Sequence, residues 1–174
     1  MIIICLFLLI ALVQGDITDV LLAKHNEYRE KILNGEEPRT PRAARLEPLR
    51  RNEDLVRKAE EHVSKCHFGH DSNEDRKVPG FDYVGQNIYF SHFMKDDLDA
   101  PAVMWYEEIK DYDYDNDQCK SVCTHYTQMV WAETTDIGCA ENRCPNMDRL
   151  VTCNYGKMGN WIGERPYPRY DEPE

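Results

Sequence analysis

The cysteines constrain this sequence more than any other feature, because disulfides fix which distant segments lie together. The chain has 174 residues and seven cysteines. Cys5 lies in an apolar N-terminal run, and six others follow: Cys66, Cys119, Cys123, Cys139, Cys144 and Cys153. In a secreted chain this even number predicts three disulfides, although the count alone leaves about fifteen pairings open. Structural zinc is the weaker alternative, since the close cysteine pairs lack the two-residue gap of a zinc knuckle.

The first fifteen residues, MIIICLFLLIALVQG, form an apolar run that ends in small and polar residues. This pattern is typical of a signal peptide, and the run is shorter than the roughly 20 apolar residues that cross a bilayer. We therefore predict a signal peptide at residues 1–15, cleaved after Gly15, and a secreted, extracellular protein with no stable membrane insertion. A retained N-terminal anchor is the alternative.

Length and charge bound the rest of the chain. One domain typically holds about 100 to 200 residues, so we assign residues 16–165 to a single domain and residues 166–174 to an extended C-terminal tail. The net charge is -11, from 21 basic and 32 acidic residues. Nucleic acid and anionic membranes are repelled by such a chain, so neither is an expected partner. The arginines of residues 38–51 are interpreted as part of a solvated loop.

Helical and strand-like patterns both occur within this domain. A first helix carries Leu21, Tyr28 and Ile32 on the same face as His25, and it ends at Asn34-Gly35. A second helix follows Asn52 as its cap. A third begins near Asp99–Pro101 and continues through MWYEEIKDY.

The C-terminal half of the pattern adds a short helix and two strands. Thr124 is the predicted cap of the helix in THYTQMVWAE, which places His125, Met129 and Ala132 on one face. TDIGCA and LVTCNYG are predicted strands joined by a short connection.

Two histidine-bearing segments are candidate sites. A histidine on an apolar helical face is more often a hydrogen-bonded core residue than a ligand, so His125 alone leaves both interpretations open. In Cys66-His67-Phe68-Gly69-His70 a disulfide would remove the cysteine as a metal ligand, which leaves the two histidines. Glu107 and Glu108 are adjacent in a predicted helix, so only one of them can face the interior.

Three separated segments carry a resemblance to a known family. HYTQMVWAETTDIGCA, LVTCNYGKMGNW and YVGQNIYF resemble the signature segments of the CAP superfamily. This superfamily contains the cysteine-rich secretory proteins, the antigen 5 allergens and the group-one pathogenesis-related proteins. The short single domain is similar to the venom allergen-like proteins of parasitic worms.

The resemblance implies an α+β fold: a three-layer α-β-α sandwich with a central cleft and three disulfides. It pairs Cys66 with Cys144, Cys119 with Cys123, and Cys139 with Cys153. It also implies that His70 and His125 are the metal-binding residues of the cleft, beside Glu108 and Gln86. An acid is expected where Gln86 stands, and the amide removes one negative charge and one potential base. We therefore expect a weak site for zinc or another divalent cation, no required cofactor and no catalytic residues.

The resemblance further implies lipid ligands at two places. Sterol is expected under the loop DYDYDNDQCKSVC, which contains Tyr112 and Tyr114. Fatty acid is expected between the first and third helices, along Leu21, Tyr28, Val103 and Met104, although any apolar core uses such residues.

Three functions follow as hypotheses. The first is a lipid-binding protein that takes a sterol or fatty acid ligand for scavenging, export or host modulation. The second is an extracellular or immunomodulatory module that binds a host extracellular protein without a lipid. The third, a zinc-dependent hydrolase, is the weakest because Gln86 replaces an acid and two histidines fall short of the three protein ligands of catalytic zinc.

Overall fold

A computed structural model describes residues 16–92, 97–145 and 147–172. The predicted signal peptide, residues 1–15, lies outside the described residues. The helices are α1 Ile17–Asn34, α2 Glu53–Ser64, α3 Asn73–Arg76, α4 Ala100–Glu107 and α5 Thr124–Met129, with a 3-10 helix at Glu108–Asp111. The strands are β1 Arg50–Arg51, β2 Gly85–Ser91, β3 Tyr112–Asp113, β4 Gln118–Cys119, β5 Asp136–Cys144 and β6 Met147–Gly156.

A four-stranded sheet forms the middle layer of the molecule. Its strand order is β1-β5-β6-β2, with β1 parallel to β5 and the other neighbours antiparallel. Helix α2 packs on β5 and β6, while α1 contacts β5 and α4, and α4 in turn contacts α5. The three-layer α-β-α fold is confirmed. No helix in the described part of the chain has the length and apolar content to cross a membrane.

The two sides of the sheet bury different sets of side chains, as the alternation of a strand requires. Toward α2, the core contains Ala59, Val63, Ile88, Ala140 and Leu150. The larger core, on the other side, contains Leu21, Ile32, Tyr106, Val151 and Tyr155. The sheet is therefore covered on both faces, and only its ends and edges remain for a site.

The predicted helix boundaries hold at two ends and fail at a third. The Asn52 side chain accepts hydrogen bonds from the backbone N–H groups of Asp54 and Leu55, so this cap is confirmed. Gly35 ends α1 in the left-handed conformation at φ 73°, as the Asn34-Gly35 signal predicts. Thr124 as a cap was wrong, because it is the first helical residue of α5 and Cys123 precedes it.

The helical face predicted for His125 is also shorter than expected. Helix α5 ends at Met129, so Ala132 lies beyond it and donates its backbone N–H to Pro166 O. The third predicted helix is α-helical only to Glu107 and continues as a 3-10 helix to Asp111.

All three disulfides implied by the resemblance are present. Cys66 bonds Cys144, Cys119 bonds Cys123, and Cys139 bonds Cys153. The last pair lies directly opposite in the β5–β6 ladder. Each disulfide typically stabilises a fold by about 2 to 4 kcal/mol.

Two segments interpreted as surface features contribute to the core. Within residues 38–51, Ala43, Leu46 and Leu49 are buried, so the solvated-loop interpretation was wrong for the apolar residues between the arginines. In the predicted C-terminal tail, Tyr167 is buried and Pro168 O accepts the backbone N–H of Ala44. These two segments pack against each other because each supplies apolar side chains that the other covers.

Candidate functional site

His125 is held by a carboxylate at the start of α5. Its Nδ1 lies 2.7 Å from Glu108 Oε1, and Glu108 Oε2 accepts the backbone N–H groups of His125 at 3.1 Å and Tyr126 at 3.4 Å. The first backbone N–H groups of a helix have no partner within the helix, and a negative charge is favourable there. Glu108 therefore orients the imidazole and also accepts the free backbone N–H groups at the start of α5. Its neighbour Glu107 is exposed and pairs with Arg39.

Aromatic and amide groups fix the same histidine from behind. The Trp105 and His125 rings are stacked at 6.2 Å between centroids. Asn87 Nδ2 donates to His125 O at 3.1 Å and to the Tyr155 hydroxyl, also at 3.1 Å. His125 Nε2 makes no hydrogen bond to any part of the chain that the structure describes, so this nitrogen is the one left for a ligand.

The network continues into the core through His25. His25 Nε2 lies 2.8 Å from the Tyr155 hydroxyl, and His25 Nδ1 lies 2.7 Å from Leu21 O. A carbonyl only accepts, so Nδ1 carries the proton and Nε2 accepts from tyrosine. Burial lowers the pKa of His25 to about 4, against the smaller effect of the Leu21 hydrogen bond. His25 is therefore a neutral core residue at pH 7 that supports the His125 backbone.

His70 is held differently, by a neutral amide. Its Nδ1 lies 2.9 Å from Gln86 Oε1, which also accepts the backbone N–H of Asp71 at 3.3 Å. Gln86 Nε2 donates to Asn154 Oδ1 at 3.1 Å. His70 is exposed, in a segment between α2 and α3 that precedes the edge strand. This pair orients the ring through a hydrogen bond but contributes no charge.

The two histidines are hydrogen-bonded to consecutive residues of the edge strand β2. Gln86 and Asn87 point to opposite faces of the sheet, since successive side chains alternate in a strand. Gln86 thus holds His70 and Asn87 holds the carbonyl of His125. Within the described ranges, no three His, Cys, Asp or Glu side chains converge in a way that could hold a metal ion.

The loop containing Tyr112 and Tyr114 folds as the β3–β4 hairpin beside a cavity of about 760 Å³. Tyr114, Trp131, Pro166 and Tyr167 are its buried lining residues. The Tyr114 hydroxyl donates to Tyr167 O at 2.7 Å, and burial raises the pKa of Tyr114 to about 12. The hairpin is therefore fixed to the cavity wall by its own tyrosine.

Tyr112 lies in β3, two residues before Tyr114. Its hydroxyl donates to Asp117 Oδ1 at 2.8 Å, and its ring contacts those of Tyr114 and Tyr126. A smaller cavity of about 220 Å³ includes Tyr112 with Trp161 and Ile162. The two predicted sterol-binding tyrosines thus line two neighbouring cavities.

The residues predicted for a fatty-acid channel do not share one surface. Leu21 is fully buried, and the Tyr28 ring stacks on Tyr106 at 3.7 Å between centroids. Val103 and Met104 are 37% and 59% exposed on α4. The α1–α4 contact is occupied at the tyrosine stack, and Val103 and Met104 can meet a ligand only at the molecular surface.

Sequence reasoning missed the residues that hold the histidines in place. These are Asn87, Trp105, Asn154 and Tyr155. The available signal was a polar amide inside an otherwise apolar strand, as in VGQNIYF and LVTCNYG, because a buried amide needs partners.

The chain belongs to the CAP family, described as the Cysteine-rich secretory protein family, whose family model matches residues 22–155. Within it, this is a CAP domain protein of the venom allergen-like type. Schistosoma mansoni venom allergen-like protein 4 superposes with a TM-score of 0.80 at 28% identity, covering 91% of this chain and 97% of that chain. NaASP2, solved with Zn²⁺, superposes with a TM-score of 0.71 at 26% identity, covering 87% and 84%.

Sequence relatives agree with this placement. GLIPR1-like protein 1 of Mus musculus is 35% identical over 160 residues, which is 88% of this chain and 64% of that protein. Scoloptoxin SSD43 of Scolopendra dehaani is 35% identical over 158 residues, covering 86% and 73%. The chain thus spans less than two thirds of the mouse relative.

Proposed function

We propose that this protein is a secreted, extracellular binding protein that takes a sterol or fatty acid in the cavity beside the β3–β4 hairpin. The observation that carries the proposal is the aromatic floor of that cavity, formed by Tyr114, Trp131 and Tyr167. Its volume of about 760 Å³ falls within the range of about 300 to 1,000 Å³ that is usual for small-molecule sites. Scavenging, export and modulation of a host are the roles that such binding would serve.

The rim of the cavity supplies groups for the polar end of a lipid. Arg45 and Arg165 both line it. Arg45 pairs with Glu133 at 2.6 Å, and Arg165 Nε donates to Tyr114 O at 3.0 Å. A sterol hydroxyl would meet these cations at the rim while its apolar part lies on the aromatic floor. A fatty-acid carboxylate would meet them beside five acidic residues that also line the cavity, which favours the sterol: Asp115, Asp117, Glu133, Glu164 and Glu172.

The histidines support weak metal binding within this proposal. In each pair Nδ1 is engaged, by Glu108 or by Gln86, so Nε2 is free to coordinate. A carboxylate behind a ligand histidine is the usual support for zinc, and His125 fits that pattern. Two histidines do not reach the three protein ligands of catalytic zinc, which favours a binding protein over a hydrolase.

The lipid proposal is tested by filling the cavity. Ala132 is half-buried in its lining, so Ala132→Phe places a ring in the ligand volume. Purified wild-type protein should retain radiolabelled cholesterol or palmitate saturably, and Ala132→Phe should lose about tenfold in affinity through the occupied volume. Ala23→Phe, the same change at an exposed position of α1, is the control and should bind as the wild type does.

Two outcomes would reject the lipid proposal. Wild-type protein that retains neither lipid leaves the host-protein module as the better hypothesis. Equal uptake by wild type and Ala132→Phe would move any lipid away from this cavity.

A further inference from the structure

A second cavity, of about 390 Å³, is walled by four aromatic residues. They are Phe81, Tyr83, Trp131 and Trp161. The Tyr83 and Trp161 rings meet edge to face, with centroids 5.6 Å apart and planes at 86°. These two rings form a corner, and 49% of Tyr83 and 42% of Trp161 remain exposed. Large aromatic surfaces that stay accessible beside a cavity are available to a ligand.

The aromatic walls are held in fixed positions. Trp161 Nε1 donates to Met158 O at 3.1 Å, which sets the plane of the indole. Trp131 is buried against Gly159, where a Cβ would come within 2.6 Å of its ring. Phe81 packs equally closely on Gly156. The cage is therefore largely preformed, which lowers the entropic cost of binding.

Carboxylates surround these rings. Asp82, Glu133 and Glu164 line the cavity, against the single ammonium of Lys157. Glu133 is shared by Arg45 at 2.6 Å and Lys157 at 3.8 Å, so the lysine charge is already matched. Among the described residues, Asp82 and Glu164 have no cation within ion-pair distance. Their charge, on a chain of net charge -11, attracts a cation and repels a carboxylate or phosphate.

We propose that this aromatic and acidic cavity binds a small organic cation, with a quaternary or alkylated ammonium group over the Tyr83 and Trp161 rings. Aromatic faces attract such a cation with about 0.5 to 2 kcal/mol per contact, and recognition of quaternary ammonium is the usual function of an aromatic cage. A choline head group carries the same ammonium, but its phosphate would meet Asp82 or Glu164. A free ammonium compound without a phosphate therefore fits better than a phospholipid. This cavity adjoins the proposed lipid site and shares Trp131, Glu133 and Glu164 with it, but the inference concerns the part walled by Tyr83 and Trp161 and a cationic ligand.

Choline and its uncharged isostere, 3,3-dimethyl-1-butanol, provide the direct test on the full secreted protein. Titration calorimetry should show saturable 1:1 binding of choline, and about tenfold or greater weakening for the isostere, since only the charge differs. Equal affinity for the two compounds, or no choline binding, would overturn the proposal. Phosphatidylcholine vesicles form a second arm, and binding of the vesicles but not of free choline would overturn the assignment to a free ammonium compound.

Variants locate the cation. Trp161→Leu should lose about tenfold in choline affinity, whereas Tyr83→Phe keeps an aromatic face and should bind as the wild type does. Glu164→Gln should weaken choline binding while leaving the isostere unaffected. Tyr170→Leu, which removes an exposed aromatic ring stacked under Arg42, is the matched control. Undiminished choline binding in a folded Trp161→Leu protein would place the cation elsewhere.

Discussion

The two candidate histidines of this protein differ in what stands behind them. His125 is half-buried and held by a carboxylate, a stacked tryptophan and a backbone contact to Asn87. His70 is exposed and held by one neutral amide, Gln86. Since charge-assisted hydrogen bonds are roughly twice as strong as neutral ones, the first ring is more firmly placed. His125 is thus the rigid histidine of the candidate metal site, and His70 is the adaptable one.

Both histidine supports reach buried residues, but only one of them contains a buried histidine. Behind His125, the contacts run through Asn87 and Tyr155 to His25 and end at the carbonyl of Leu21. Behind His70, Gln86 reaches Asn154, whose side chain donates to Leu55 O in α2. The His125 support contains a buried ionisable group, His25. Protonation of His25 in acid should therefore destabilise this support, and substitution of His25 tests that expectation.

The largest expected effect is the pH dependence that His25 imposes. Its pKa is lowered from 6.5 to about 4, so the unfolded chain takes up the proton before the folded chain does. The stability it contributes is complete above pH 6.5 and is lost as the pH falls toward 4. A shift of this size corresponds to about 3 kcal/mol. His25→Gln should therefore be less stable than wild type at pH 7. In urea unfolding, most of this difference in the free energy of unfolding should disappear as the pH falls from 7 to 4.

Tyr155→Phe is the matched control for that experiment. It removes the hydroxyl that contacts His25 but keeps the titrating imidazole. Its cost, on the order of 2 kcal/mol for the two hydrogen bonds with His25 and Asn87, should vary little with pH compared with the His25→Gln gap. A pH-independent gap for His25→Gln would show that His25 is not the acid-sensitive part of the support.

The next effect compares the two partners directly. Glu108→Ala should lower the free energy of unfolding by about 2 to 3 kcal/mol, because it leaves the His125 ring and two backbone N–H groups without an ionised acceptor. Gln86→Ala should cost about 1 kcal/mol, since its shorter hydrogen bonds are neutral and its contact with the Asp71 carboxylate is long, at 3.5 Å. Urea unfolding at pH 7 measures both.

Glu108→Gln serves as the intermediate case, because the amide still accepts hydrogen bonds but carries no charge. Its free energy of unfolding should lie between those of the wild type and Glu108→Ala. Equal losses for Glu108→Ala and Gln86→Ala would mean that the two histidines are supported alike, and the comparison would fail.

The layers, the disulfides and the positions of the histidines could be predicted from the sequence, because the signature segments and the six cysteines specify them. The buried residues that support the histidines, apart from Glu108 and Gln86, could not. Asn87 and Tyr155 lie on two strands, separated in sequence by 68 residues, and their contact depends on the β2–β6 register. The burial of Tyr167 was missed for a related reason: a proline-rich, charged segment gives no periodic signal, although a single aromatic side chain can attach it to the core.

The predicted fatty-acid channel is a second case in which the sequence could not report how side chains pack. Leu21 and Met104 are both apolar helical residues, yet one is fully buried and the other is 59% exposed. Side-chain volumes across the α1–α4 contact, above all the Tyr28–Tyr106 stack, decide whether space remains there. Composition cannot report such a difference of a few ångströms.

The smallest predicted effect concerns zinc affinity. It is tested by giving His70 a carboxylate partner like the one that His125 already has. Gln86→Glu keeps the size of the side chain and places a carboxylate behind the His70 ring. A carboxylate raises the basicity of a ligand histidine, and such supporting groups change metal affinity by about 10- to 100-fold. Zinc titration by calorimetry should therefore show about tenfold tighter binding for Gln86→Glu and about tenfold weaker binding for Glu108→Gln. His125→Ala and His70→Ala should each remove most of the specific binding.

Glu107→Gln separates these local effects from the general attraction of a negatively charged chain for cations. It changes the net charge as Glu108→Gln does, but Glu107 pairs with Arg39 and does not contact His125. It should leave zinc affinity within about twofold of wild type, because an exposed charge is screened by solvent and salt. If Glu107→Gln and Glu108→Gln weaken zinc equally, the metal responds to overall charge. The difference between the histidines would then concern stability alone.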